Sequence, residues 1–118
     1  MQSLESLDPT VSRMDVVQAV WHTLRAHLEN EKARLYEAIS HYPTPIAGCD
    51  QQFNYLLEEQ TRIRHELERL DRASHESLTV EDAIQRIDAF LGSSSSLDAK
   101  TERTIRSYLQ EGLSQIQR

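Results

Sequence analysis

Apolar residues recur along this chain in steps of three and four. Trp21, Leu28, Leu35 and Tyr42 are spaced by seven, and Val17, Leu24, Glu31 and Ala38 form a second seven-spaced row beside them. Neighbouring rows of this kind make one apolar stripe on a helix. No Pro or Gly interrupts the segment from Ser12 to His41, so it reads as a single helix of about 30 residues, roughly 45 Å long. Asp8-Pro9 is a plausible helix start, a side-chain cap followed by a proline at the first helical position, and Ser12 with Asp15, resembling a capping box, is a rival start. In the first eleven residues Leu4, Leu7 and Val11 lie at helical spacing, which gives a tail able to fold back onto the body.

A second stripe follows: Phe53, Leu56, Gln60, Ile63, Leu67 and Leu70 alternate the same steps, and the pattern runs to about Ser74. Between the two stripes lies "HYPTPIAGCD", with two of the three prolines and the only cysteine. Proline lacks an amide donor and biases the residue before it away from helix, so Pro43 and Pro45 stop the first helix. Asp50 is placed to cap the second. Two long helices joined by a short stiff connector pack antiparallel.

Further on, Thr79 and Asp82 form an imperfect capping box, with Leu78 in position to staple against Ala83. Val80, Ala83, Ile84, Ile87, Phe90 and Leu91 line one face of a third helix of about 12 residues, which Gly92 is expected to end. The run of four serines reads as a flexible loop. Ser96 or Asp98 starts a fourth helix of about 19 residues, with Thr101, Ile105, Tyr108, Leu109, Leu113 and Ile116 on its apolar face.

The expected fold is all-α and like a four-helix bundle, a single domain over residues 1–118. It comprises a tail (1–11), a long antiparallel hairpin (12–75) with its connector at 42–50, and a shorter helical hairpin (79–118). Helices of about 18 and 29 Å cannot cover a 45 Å hairpin. Part of the long hairpin should therefore protrude or be covered by another chain. A homodimer is the simplest cover, because one patch then serves both copies. It places Trp21, Leu28, Leu56 and Ile63 near the seam.

Composition agrees with helix. Only three glycines and three prolines occur in 118 residues, with 38 % hydrophobic and 27 % charged residues. The net charge of -6 is spread without a basic block, so phosphate-backbone binding lacks its footprint and no nucleic-acid partner is expected. A helix-turn-helix would need a basic recognition helix. Lys100, Arg103 and Arg106 are offset there by Asp98 and Glu102. The start has no signal-peptide pattern and no 18-residue apolar run occurs, which points to a cytoplasmic protein without a membrane partner.

Catalytic patterns are missing. The residues three before each histidine are Ala19, Leu24, Ala38, Arg62 and Arg72, so no Glu-x-x-His di-iron motif exists. No zincin, P-loop, dinucleotide or Gly-x-Ser-x-Gly pattern occurs. His41, Cys49 and Asp50 offer an imidazole, a thiol and a carboxylate at one end of the hairpin, but Cys49 also reads as a small hydrophobe and Asp50 as a cap. Four of the seven aromatics, Tyr36, Tyr42, Phe53 and Tyr55, cluster around the connector, as rings do at interfaces.

Glu31 and Gln60 interrupt the two stripes and should lie within a turn of each other, either as a buried pair or at the stripe's wet edge. The run "LEEQTRIRHELERLDR" reads as a solvated face, with Glu58–Arg62 and Glu68–Arg72 as supporting pairs. The sequence thus leads to a non-catalytic helical interaction module that self-associates or takes a helical protein partner, with no cofactor, no metal and no catalytic residue. The alternative is a small-molecule or metal-binding protein, or an enzyme, using Tyr36, His41, Tyr42, Cys49, Asp50, Phe53 and Tyr55 around the connector.

Overall fold

In a computed structural model, residues 12–43 and 51–116 are described; of these, 88 % are helical and none is in a strand. The four helices are α1 (Arg13–Ser40), α2 (Gln51–Glu76), α3 (Val80–Ser93) and α4 (Ala99–Ile116). The expected tail with Leu4, Leu7 and Val11, the Asp8-Pro9 start, and the connector residues Pro45, Cys49 and Asp50 lie outside the described residues.

α1 begins where its capping residues dictate. The Asp15 amide donates to Ser12 Oγ at 3.1 Å, and the Ser12 amide donates back to the Asp15 carboxylate at 3.0 Å. Such a cap stabilises a helix start by about 1 kcal/mol. The helix ends two residues ahead of Tyr42-Pro43, where the His41 and Tyr42 amides turn back to the carbonyls of Glu37 and Ile39. α3 starts at Thr79, whose Oγ accepts from the Asp82 amide at 3.0 Å. The second half of that box slips by one residue. The Asp82 carboxylate takes the Leu78 amide instead, at 3.4 Å, and also binds Arg86. Leu78 is turned outward, 88 % exposed, so the expected staple on Ala83 does not form. α4 starts at Asp98 rather than Ser96: Asp98 Oδ1 accepts from the Thr101 amide at 2.7 Å.

The two long helices run antiparallel, tied by an Arg25–Asp71 ion pair and by the Tyr42 and Phe53 rings. α1 packs against all three other helices, and α2 packs also against α3. The core gathers around the first half of α1, where Val17, Val20, Leu24 and Leu28 are fully buried, with Leu70, Ala83, Ile87 and Leu91 facing them. α1 and α4 approach so closely that a Cβ on Gly112 would stand 2.8 Å from a Val16 methyl. Glycine is required at that crossing for space.

Three expectations fail here for identifiable reasons. Leu28, Leu56 and Ile63 are buried within one chain, so they cannot form the seam of a dimer; α1, enclosed by three helices, uses up its own stripe. Gly92 does not end α3, which continues through it to Ser93 with Ser94 as cap. The stop is made from outside the helix, by Glu66 of α2. This carboxylate is buried and accepts from Ser94 Oγ at 2.5 Å, Ser95 Oγ at 3.0 Å and the Ser95 amide at 3.1 Å. The serine run is therefore pinned at its middle, and Glu66 belongs to the interior rather than to a solvated face. Arg69, one turn along, reaches Ser93 Oγ and lies over the Phe90 ring.

Candidate functional site

Helical geometry divides the long hairpin into two faces. Glu66, Arg69 and Val16 mark the inner face, on which α3 and α4 lie. The outer face carries Trp21, Arg25 and Tyr36 on α1, with Leu57, Arg64 and Asp71 on α2. Beyond Leu28 no residue of α1 is fully buried, and the α3–α4 loop borders the hairpin only as far as the notch at Leu35 and Tyr55. The far end of the hairpin is therefore an arm two helices thick.

The described candidates named from sequence sit on this arm, but not as one cluster. Tyr42 and Phe53 meet, ring centroids 5.3 Å apart and tilted by 52°, and close its end. Tyr36 is 65 % exposed on the outer face. Tyr55 is 54 % exposed on the opposite face, beside Ser95 and Ser96. His41 is exposed, its Nδ1 3.1 Å from the Glu37 carbonyl oxygen and 3.6 Å from that residue's carboxylate. Cys49 and Asp50 fall outside the described residues. Among the described residues no three His, Cys, Asp or Glu side chains converge on a metal position. No helix among them is long and apolar enough to cross a membrane.

Three concavities among the described residues bear on the site, and only the last borders the arm. One is a cleft of about 360 Å³ on the outer face near the far end of α2, lined by Gln18, Trp21, His22, Arg25, Asp71 and His75. Trp21 is half-buried there, its ring spanning core and cleft. The second is an apolar groove between α3 and α4, walled by Ile84, Leu91, Leu109 and Leu113 and bridged by Arg106 and Asp88. That ion pair, with Glu102 behind it, raises the Arg106 pKa and makes it a fixed cation. The third is a notch under the serine loop, with Glu31, Tyr55 and Glu59. Glu31 pairs with Arg34 at 2.7 Å and is about one-third exposed, so it occupies the stripe's edge and does not bond Gln60.

Sequence reasoning took the charges of the outer face for ordinary solvated positions. Neither Glu58–Arg62 nor Glu68–Arg72 forms an ion pair among the described residues; Arg62 turns to Glu59 at 2.7 Å instead. Lys32, Arg64 and Glu68 are exposed and form no ion pair among the described residues. Leu57, 38 % exposed, stands beside them. The only advance signal was their position one step off the apolar stripe, which ordinary solvated residues share. No protein-family model matches this chain, and no curated protein or solved structure is significantly similar to it.

Proposed function

We propose that this protein is a non-catalytic helical interaction module that self-associates through its long hairpin. One observation carries the reading: the arm extends past its covering helices and presents Tyr36, Tyr55 and Leu57 to solvent, the first two more than half exposed. Large exposed rings on a rigid element supply contact area at low conformational cost, and they are enriched where proteins meet. Rigidity comes from the proximal core and from the Arg25–Asp71 tie at the root of the arm. Sedimentation equilibrium of the full chain tests the reading. The expected result is a reversible rise from 13.6 kDa toward twice that mass with concentration. A single 13.6 kDa species across the micromolar to millimolar range would defeat it.

A further inference from the structure

The outer face of the hairpin is self-complementary. The antiparallel register is fixed by Arg25–Asp71 and Tyr42–Phe53, so residues at one level have numbers that add to 95 or 96. Lys32 then stands level with Arg64, and Glu29, which also pairs with Arg25 of its own helix at 3.1 Å, within a residue of the level of Glu68. A basic band and an acidic band thus lie side by side across the face, about one helical turn apart, roughly 5 Å. Above the bands, on the arm, rise Tyr36 and Leu57, both exposed. Below them opens the Trp21 cleft. Measured from the midpoint between the bands, the protruding pair and the centre of the cleft each lie about 11 Å away, in opposite directions, at 1.5 Å per residue.

We infer that two copies pair outer face to outer face, about a two-fold axis that crosses the helices at this midpoint. The inference rests on the self-association proposed above and specifies its surface. The rotation lays α1 antiparallel on α1 and α2 on α2. It sets Arg64 against Glu68 of the second copy and Lys32 against Glu29, and it seats Tyr36 and Leu57 over the cleft beside Trp21. Every contact is made twice, as an isologous interface requires. Opposite charges meet across the bands, whereas a shift of one turn would bring like charges together, so the bands set the register. α3 and α4 occupy the inner face and do not obstruct the approach. A face about 27 Å long and two helices wide covers roughly 500 Å² per copy, about 1,000 Å² in total, the lower edge of specific interfaces. The pairing is accordingly weak and reversible, and the second copy fits where Leu28, Leu56 and Ile63 could not serve.

The test is charge reversal on the full chain, read by sedimentation equilibrium and by emission of Trp21, the chain's only tryptophan. Arg64 and Glu68 are exposed, so the variants keep the fold, which circular dichroism checks. R64E and E68R should each weaken the dimer by about tenfold or more, since each change acts at two symmetric contacts. The double variant R64E/E68R should return to within about threefold of the parent. Trp21 emission should shift with concentration in the parent and in the double variant, and far less in either single one. A dimer indifferent to both single reversals, or a double variant as weak as the singles, overturns this interface and leaves self-association standing. A 13.6 kDa species at every concentration overturns both.

Discussion

The proximal and distal halves of the long hairpin share one kind of sequence and end in different states. Both carry apolar residues at steps of three and four. In the proximal half those residues are enclosed: Val17, Val20, Leu24 and Leu28 have no exposed surface, because α3 and α4 complete the layer above them. In the distal half Leu35, Ile39, Tyr42 and Phe53 are only half-buried and Leu56 alone among their neighbours on α2 is buried, because α3 and α4 do not complete the layer there. Periodicity therefore tells which side of a helix is apolar, but the number of layers tells how far it is buried. The proximal half holds the fold, and the distal half is left as surface.

The largest expected difference is in stability. Leu24→Ala removes a side chain with no exposed surface and should cost about 2–5 kcal/mol. Ile39→Ala, at a half-buried arm position, should cost about 1 kcal/mol or less. Urea denaturation of the two variants measures both. Equal losses would mean that the arm is as firmly packed as the root, and the division into two halves would fail.

Much of this architecture was readable beforehand, and what was not has a common cause. The helix count and the shortfall of α3 and α4 follow from local rules of period and length, and the Ser12 cap was one of two starts that the capping rules offered. Glu66 did not follow. It sits among charged residues in the sequence, and its partners Ser94 and Ser95 are 28 and 29 residues away. A carboxylate buried by a distant loop looks like any surface Glu from its neighbours. Gly92 misled for the same reason, since the stop signal of α3 comes from α2. Leu78 fits a staple on spacing alone, yet Asp82 captures the Leu78 amide and the side chain points to water. At the arm, Tyr36 and Tyr55 were legible as aromatics near the connector. Their placement on opposite faces depends on which side α3 and α4 occupy, a tertiary fact that no local pattern contains.

A second, smaller effect lies at the boundary between the halves. Glu66 anchors the serine loop where the covering layer stops. Glu66→Ala leaves three hydrogen-bond groups of Ser94 and Ser95 without their acceptor and should cost about 2 kcal/mol. The Ser95 amide, which donates to that carboxylate, should exchange with deuterium much faster, while amides of the arm keep their rates. Hydrogen exchange of the variant reads both. An unchanged Ser95 rate would show that the loop is held by something other than Glu66, and that the boundary is not set by this residue.

The smallest expected effect is a pH dependence at the same boundary, where α4 begins. Asp98 accepts a hydrogen bond from the Thr101 amide, and this bond, more than its other neighbours, holds its carboxyl below the usual value. The Thr101 side chain, His27 and Lys100 act in the same direction, and desolvation opposes them. The folded chain therefore releases this proton more readily than the unfolded chain does. Because the unfolded state binds more protons in that range, the stability from the cap rises with pH. It is fully present above the ordinary carboxylate value and is lost as pH falls through the lowered one. Asp98→Asn keeps a capping side chain but removes the titration. Denaturation midpoints of parent and variant, followed from neutral pH down to about pH 3, should converge as the carboxylate is protonated. A gap that stays constant with pH would show that charge at Asp98 contributes nothing to the start of α4. The covering layer would then be joined to the hairpin at this border by packing and the Glu66 anchor alone.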